Sequence, residues 1–181
     1  MIDIVKKTAE KVFIPLTVGG GISSVENIRD LLKAGADKVS INTAGILNER
    51  LFSDSSEKFG SQCIVAAVDA KKQNNDWTVF SHGGTKNTGI NALNWIEKLQ
   101  KLGAGEILLT SMDKDGTKTG FDLELLKKAT NILDIPLIAS GGVGNLKHFK
   151  DGVTIGGANA LLAASVFHFA EFSILEVKEY L

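Results

Sequence analysis

The chain repeats one stretch of its sequence, Ile14-Pro15-Leu16-Thr17-Val18-Gly19-Gly20-Gly21-Ile22, as Ile135-Pro136-Leu137-Ile138-Ala139-Ser140-Gly141-Gly142-Val143, 121 residues further along. Each copy is a short apolar run that ends in glycines and leads into a helical pattern. A second apolar run follows after a similar interval, beginning at Gly35 in the first copy and at Gly157 in the second. A strand that passes through glycines into a helix presents backbone amides and the positive end of the helix dipole to an anion. The two copies therefore predict two related phosphate sites, and a substrate that carries a phosphate at each end.

Apolar runs typical of strands alternate with helical patterns along the chain. The predicted strands cover residues 16–18, 38–41, 63–68, 106–110, 136–139 and 160–163. Ser23 and Glu26 have the spacing of a capping box at the start of one helix, Asn91 precedes a second helix, and Asp122 a third. Gly35 is predicted to end the first of these helices. This alternation predicts an α/β fold with a parallel sheet covered by helices.

The spacing of the repeat favours a closed (β/α)₈ barrel over an open doubly wound sheet. Four βα units fill the interval between the copies at about 30 residues each, which matches a barrel of about 250 residues. If the two copies are strands 3 and 7, strands 1 and 2 are absent. We therefore expect residues 1–181 to form a single incomplete barrel domain with a half-barrel repeat, running from helix 2 to helix 8 through about six βα units. Such a chain would be N-terminally truncated, and another polypeptide would be needed to close its open edges.

Composition and charge narrow the classes of function. The 181 residues include 20 Lys plus Arg against 21 Asp plus Glu, a balance that argues against nucleic acid or an anionic membrane as the main partner. The single cysteine, Cys63, excludes an internal disulfide and fits a reducing compartment. No apolar stretch approaches the roughly 20 residues of a membrane span, and the N-terminus lacks the layout of a signal peptide. We expect a cytoplasmic protein.

Two carboxylates follow predicted strands. Asp69 ends the apolar run that begins near Cys63, where it could act as a general acid or base; a capping or turn aspartate is an equally good interpretation. Asp115 lies in Asp113-Lys114-Asp115-Gly116, which has the start of a calcium loop but lacks the later ligands and the closing glutamate. We expect no metal there, and predict instead a loop that contacts phosphate or substrate through the Gly116 amide.

Short polar side chains also lie at the ends of predicted strands. Asn42, Thr43 and Ser165 can donate hydrogen bonds to phosphate oxygens, and Thr110 and Ser140 are further candidates for substrate binding. Each of them would be a routine turn or strand-end residue if it occurred alone. They become candidates together because the carboxyl ends of parallel strands share one edge of the sheet.

The segment from Lys71 to Gly84 is predicted to be a hairpin inserted after the third strand. Its polar run Gln73-Asn74-Asn75-Asp76 is followed by Trp77-Thr78-Val79-Phe80. A long loop at this position is more often functional than not. We interpret Trp77 as a packing residue rather than as part of a cofactor site.

Five sequence blocks in order resemble the cyclase subunit of imidazole glycerol phosphate synthase, from histidine biosynthesis. The blocks are Leu-Thr-Val-Gly-Gly-Gly-Ile at 16–22, Asp-Lys-Val-Ser-Ile-Asn-Thr-Ala at 37–44, Gly-Ala-Gly-Glu-Ile-Leu-Leu-Thr-Ser-Met-Asp-Lys-Asp-Gly-Thr at 103–117, Ile-Ala-Ser-Gly-Gly-Val-Gly at 138–144 and Leu-Ala-Ala-Ser-Val-Phe-His-Phe at 162–169. The glycine run alone would be a weak signal, whereas five blocks at the right spacing are specific. The resemblance covers almost the whole chain.

The resemblance implies a (β/α)₈ lyase that receives ammonia from a separate glutaminase subunit docked at the amino-terminal face of the strands. The ammonia would join a bis-phosphorylated ribulosyl aminoimidazole carboxamide intermediate and yield imidazole glycerol phosphate and an aminoimidazole carboxamide ribotide. No metal or organic cofactor is implied. The resemblance places the family's acid/base on Asp69 and its supporting carboxylate on Asp115. It places the family's binding positions for one phosphate on Gly21, Asn42 and Thr43, and those for the other on Gly116, Gly142, Ala164 and Ser165. The positions of the ammonia gate fall on Lys38 and Glu106, and a position on the partner face falls on Asp37.

The sequence also departs from the family pattern. The catalytic aspartate on strand 1, the mobile loop after it and half of the ammonia gate have no counterpart in these residues, so we expect the chain alone to be inactive. Two alternatives stay open: the sister phosphoribosyl isomerase of the same pathway, which shares the half-barrel repeat, and a non-catalytic phosphate-binding fragment. A nucleotide-binding oxidoreductase has little support because no Gly-x-Gly-x-x-Gly follows a strand.

Overall fold

The computed structural model describes all residues from Met1 to Leu181, which form two compact units. The first unit comprises Met1–Ala67 together with Lys98–Glu106, and the second comprises Val68–Glu97 together with Ile107–Leu181. No helix is both long enough and apolar enough to cross a membrane.

The first unit contains the amino-terminal strands and the helices that follow them. Its elements are α1 (Ile2–Ala9), β1 (Thr17–Gly19), α2 (Val25–Lys33), β2 (Lys38–Ile41), α3 (Thr43–Leu47), α4 (Arg50–Phe59) and a 3₁₀ turn (Ser61–Cys63). The strand β3 (Ile64–Gln73) begins in this unit and continues into the second.

The second unit holds a hairpin and the remaining βα repeats. After β3 come β4 (Asp76–Ser81), β5 (Lys86–Asn91), α5 (Ala92–Lys101), β6 (Glu106–Ser111), α6 (Leu123–Thr130), β7 (Leu137–Ser140), α7 (Leu146–Thr154), β8 (Ala160–Leu162), α8 (Ser165–His168) and α9 (Ile174–Tyr180). The last residues of α5 and the first residue of β6 belong to the first unit.

The sheet has the strand order β1-β2-β3-β6-β7-β8, with β4 and β5 branching from β3. The pairs β1–β2, β2–β3, β6–β7 and β7–β8 are parallel, whereas β3–β4 and β4–β5 are antiparallel. Parallel strands connected by helices are the repeating element of a partial (β/α)₈ barrel, which confirms the predicted fold class.

All six predicted strands occur, and the boundary of one differs substantially. The predicted strand 63–68 is the longer β3, which runs on to Gln73 because it pairs with β4 from Asp69 onward. The predicted hairpin is present, and β5 extends it to a third strand. The prediction of Ser23 as a helix cap is wrong by one residue: Ser24 caps α2 by accepting from the Asn27 amide.

The sequence repeat is reproduced at the level of individual hydrogen bonds. The amide of Leu16 donates to the Asp37 carboxylate at 2.7 Å, and the amide of Asp37 returns a bond to the Leu16 carbonyl at 2.9 Å. In the second copy the Leu137 amide donates to the Asn159 side-chain oxygen at 3.0 Å, and the Asn159 amide bonds the Leu137 carbonyl at 3.0 Å. An Asx side chain therefore holds the start of β1 and of β7 in the same way.

The hydrogen bonding at the start of α2 is repeated at the start of α7. Asn27 accepts the amide of Ser23 at 3.2 Å, and His148, at the equivalent position of α7, accepts the amide of Gly144 through Nδ1 at 3.1 Å. Both residues occupy the third position of their helix and bond the residue before the cap, a reciprocal arrangement related to the capping box. The two copies thus preserve the geometry with different side chains.

Buried residues alternate with less buried ones along β2, β4, β6 and β7, whereas β1, β5 and β8 contain no fully buried residue. On β6 the fully buried side chains are Ile107, Leu109 and Ser111, and alternate residues are half-buried, as the period of two requires. Helix α2 lies against β2, and α6 lies against β7. Along the parallel strands β2, β3, β6 and β7, half-buried positions carry Lys38, Ser40, Asp69, Glu106, Thr110 and Ser140.

Asp122 fixes the hairpin to the loop that joins β6 and α6. Its carboxylate accepts the indole Nε1–H of Trp77 at 2.9 Å, the Ser111 hydroxyl at 3.3 Å and the Leu125 amide at 3.1 Å. The last bond caps α6, as predicted. Trp77 is fully buried, which confirms it as a packing residue.

Two cations cover the Trp77 ring. The Nζ atoms of Lys72 and Lys128 each lie 4.8 Å from the ring centroid, and both bind Glu124, at 2.7 Å and 3.0 Å. The hydrogen bond to Glu124 raises the pKa of Lys72, and the hydrogen bonds from Lys72 and then Lys128 lower the pKa of Glu124. The hairpin is therefore held by both polar and cation–π contacts.

We predict that Asp122→Ala lowers the free energy of unfolding by about 2 to 4 kcal/mol, because it removes a helix cap and leaves the buried indole N–H without an acceptor. Urea denaturation measures the loss. Ser173→Ala, which removes only the cap of α9, is the control and should cost about 1 kcal/mol. Equal losses for the two variants would contradict the anchoring role of Asp122.

The Glu124 ion pairs predict a pH dependence. Because the folded-state pKa of Glu124 is lowered, its contribution to stability is present above the unfolded pKa of about 4.3 and disappears as the pH falls through the folded value. Glu124→Gln should therefore lower the Tm at pH 7 but leave it equal to that of the parent protein near pH 2. Thermal melts across this range measure both values, and a difference that persists in acid would exclude the ion pairs as its source.

Candidate functional site

The glycine turn after β7 packs directly against the loop that follows β6. Gly142 has φ +105°, and a Cβ atom there would collide with the carbonyl oxygen of Gly120. The Gly120 amide donates to the Gly142 carbonyl at 2.7 Å. A Cβ at Gly141, which has φ +93°, would lie 2.8 Å from the Ser111 carbonyl oxygen. Glycine is required here for both its backbone conformation and its lack of a side chain.

This contact shapes a cavity of ≈ 180 Å³ at the carboxyl ends of β7 and β8. The cavity brings together six of the predicted residues and adds five that were not predicted. The predicted ones are Asp115, Gly116, Ser140, Gly142, Ala164 and Ser165, and the additions are Lys118, Gly141, Val143, Leu162 and Ala163. The six residues lie at or just beyond the ends of three strands, β6, β7 and β8, so their convergence is a result of the fold.

The lining of the cavity suits a small anion. It combines small residues, two hydroxyl side chains (Ser140 and Ser165) and glycine backbone that a ligand can approach closely. Its charged residues are Asp115 and Lys118. Asp115 is exposed and is held in a turn by the bond from its amide to the Ser111 carbonyl at 2.9 Å.

The first unit has a corresponding glycine turn after β1. Gly20 and Gly21 have φ +94° and +71°, and the space where their Cβ atoms would lie is open. Asn42 and Thr43 begin α3 directly after β2. Because β1 and β2 are parallel neighbours with Gly19 opposite Ser40, the three predicted phosphate residues Gly21, Asn42 and Thr43 follow strand ends on one edge of the sheet.

Asp69 lies within a strand rather than at its end. It pairs with Phe80 in the antiparallel ladder between β3 and β4, and its side chain is half-buried. The prediction that it ends a strand is wrong, because the hairpin extends β3 by four residues beyond it. The same extension excludes the interpretation as a capping or turn residue. A carboxylate on the polar face of a strand is a suitable position for proton transfer.

Thr110 and Ser140 face each other in the parallel ladder between β6 and β7. Both are half-buried and lie on the polar face of their strands. Ser140 lines the cavity, whereas Thr110 does not.

The amino-terminal ends of the strands carry the residues predicted for an ammonia gate and a partner face. Lys38, the first residue of β2, forms a half-buried ion pair with Glu106, the first residue of β6. Asp37 is exposed, and its carboxylate accepts the Leu16 amide as described above. Asp37 therefore has a structural role at the start of β1.

The repeat also places a cavity beside the start of each repeated strand. The first has a volume of ≈ 360 Å³ and the second ≈ 260 Å³. Ile14, Pro15 and Leu16 line the first, and Ile135, Pro136 and Leu137 line the second, so the same sequence block forms both. No group of three or more His, Cys, Asp or Glu side chains is placed to hold a metal ion.

Two roles have no signal in the sequence, namely that of Lys118 in the cavity lining and that of Asp122 beyond its own helix. Lys118 lies two residues after Gly116 in a polar run and belongs to no motif, so only its position in the cavity identifies it. Asp122 was predicted as a cap, but its bond to Trp77 joins residues 45 positions apart in the sequence.

Comparison with known families agrees with this arrangement of strands and glycine turns. The sequence model described as "Histidine biosynthesis protein" matches residues 1–173 of the 181. That family consists of biosynthetic enzymes with the (β/α)₈ fold. The match spans both copies of the repeat and every residue of the cavity. The chain belongs to the histidine biosynthesis protein family.

Proposed function

We propose that the chain is the cyclase component of imidazole glycerol phosphate synthase. In this role it binds a bis-phosphorylated ribulosyl aminoimidazole carboxamide and uses ammonia to form imidazole glycerol phosphate and an aminoimidazole carboxamide ribotide. The observation that carries the proposal is the cavity at the ends of β7 and β8, in which five residues predicted for phosphate or substrate binding lie together with Asp115, the predicted supporting carboxylate. Family membership supports the pathway.

Each phosphate of the substrate is assigned to one copy of the glycine turn. One phosphate binds in the cavity of the second unit, to the backbone of Gly116 and Gly142 and to the Ser165 hydroxyl. The other binds at the turn of the first unit, to Gly21, Asn42 and Thr43. An anchored phosphate restricts the orientation of the reacting centre, which lowers the entropic part of the barrier.

Asp69 is proposed as the general base. Ammonia attacks the ketone of the ribulosyl arm, and ring closure with elimination then requires removal of a proton. Asp115, in the loop after β6, supports this step electrostatically. The resemblance assigns the opposing acid to an aspartate on the first strand of the complete barrel, outside residues 1–181.

The ion pair between Lys38 and Glu106 supports a cyclase over the sister isomerase. It lies at the strand ends opposite the glycine turns, and its partial burial suits a charged gate for ammonia supplied by a glutaminase subunit. The isomerase uses no ammonia. The blocks Asn42-Thr43-Ala44 and Ser165-Val166-Phe167-His168-Phe169 also favour the cyclase.

We predict that the protein binds a sugar phosphate in the second-unit cavity and that Gly142→Ala abolishes this binding. The added methyl would displace the Gly120 carbonyl and open the contact between the two loops. Calorimetric titration measures the affinity. Gly83→Ala is the matched control, because Gly83 has φ +63° with open space around it and lies in the hairpin turn. Binding retained in Gly142→Ala would place the phosphate elsewhere.

We predict that Asp69→Asn reduces ammonium-dependent turnover by about two to four orders of magnitude, the usual contribution of a general base. The assay uses the chain together with a segment that supplies the strand-1 carboxylate. Phosphate affinity should be unchanged, which serves as the control for folding.

The same assay separates the cyclase from its alternatives. Turnover that is independent of ammonium would assign the chain to the isomerase. Phosphate binding without turnover, in the presence of the supplied carboxylate, would assign it to a non-catalytic phosphate-binding role.

A further inference from the structure

Lys118 adopts a backbone conformation that side chains normally avoid. Its φ is +58°, in the left-handed region, where residues other than glycine are strained. Glycines occupy comparable conformations nearby, at Gly116 and Gly120 with φ +75° and +99°. Strained residues other than glycine persist where the surrounding structure fixes them, and they concentrate at functional sites.

The backbone of Lys118 is fixed against the glycine turn. A Cβ atom at Gly144 would collide with the Lys118 carbonyl oxygen, so the loop after β6 and the loop after β7 meet here as they do at Gly142. This contact places Lys118 on the lining of the ≈ 180 Å³ cavity, beside Gly116 and Gly142.

The carboxylate of Glu171 forms an ion pair with the Lys118 ammonium. Glu171 follows α8, whose first residue, Ser165, also lines the cavity. The side chains of Lys118 and Glu171 are 47% and 33% exposed, so water competes with the ion pair and the pair is weak. A lysine side chain has a flexible four-carbon stem and can move its charge by several ångströms.

A phosphate bound in the cavity needs a cation nearby, because the lining already carries the negative charge of Asp115. Asp115 contributes a negative charge to the lining, and Lys118 contributes the opposing positive charge. A phosphate dianion beside Asp115 would be repelled unless a cation offsets it. Lys118 is the residue of the lining that carries one. Lys114 is not part of the lining, although its Cβ would lie 3.0 Å from a methyl added at Gly142.

We propose that Lys118 is a phosphate-binding side chain of the second-unit cavity and that Glu171 holds its ammonium when the cavity is empty. On binding, the phosphate replaces Glu171 as the partner of Lys118. The proposal rests on the proposed phosphate site and adds to it a charged ligand and a competing carboxylate. It predicts that the affinity for phosphate depends on ionic strength through Lys118.

The test is a titration of the ¹⁵N-labelled protein with inorganic phosphate and with a simple sugar phosphate at low salt, followed at the amides of Gly141, Gly142 and Ser165. Lys118→Met keeps the length of the side chain and removes its charge, and it should raise the Kd by about five-fold, the scale of a partly exposed ion pair. Glu171→Gln should lower the Kd because it removes the competing carboxylate. Lys147→Met, which breaks an ion pair with Asp151 outside the cavity lining, should leave the Kd unchanged.

Lys118→Gly is the control for misfolding, because glycine adopts the positive φ of residue 118 without strain. It should weaken binding as much as Lys118→Met while leaving the spectrum folded. An unchanged Kd in both Lys118 variants, with amide shifts still present at Gly141 and Gly142, would overturn the role of Lys118 and leave the phosphate site intact. Absence of any phosphate-induced shift in the parent protein would instead overturn the proposed site itself.

Discussion

The backbone contact between Gly120 and Gly142 is the constraint on which the candidate site depends. It brings the loop after β6 onto the turn after β7, because neither position has a side chain to separate the two backbones. A side chain is excluded at Gly141 and Gly144 as well, because it would collide with the carbonyl oxygens of Ser111 and Lys118 respectively. A cavity bounded by backbone rather than by long side chains can present amides to an anion.

The repeat shows that the geometry of this fold is preserved more strictly than its chemistry. Asp37 and Asn159 hold the starts of β1 and β7 through equivalent pairs of bonds, although one side chain is charged and the other is neutral. Asn27 and His148 bond the residue before the helix cap in the same manner. What recurs is a hydrogen-bond acceptor at a given position, so equivalent turns can be built from different residues.

Rigidity around the cavity comes from outside it. Asp122 binds Trp77, Ser111 and the first turn of α6, and thereby holds both ends of the loop that carries Asp115 and Gly116. The hairpin thus supports the loop rather than ending freely in solvent. Preorganised binding groups of this kind are what the proposed phosphate-anchored substrate requires, since the orientation of a substrate can be no better than that of its anchors.

The sequence by itself determined the βα order, the six strands, the repeat, the Asp122 cap and the Asn91 cap, whose side chain accepts the Asn94 amide at 3.0 Å, because period, glycine position and capping chemistry act over a few residues. It also predicted six site residues that the fold brings to one cavity. It could not place the end of β3, since that depends on pairing with β4, nor choose Ser24 over Ser23 as a cap, since both have the required chemistry. Only the tertiary structure decided that Trp77 meets Asp122, that Lys38 pairs with Glu106, and that Lys118 lines the cavity and binds Glu171. These contacts join residues far apart in the chain, and no local pattern encodes which distant partner a side chain will meet.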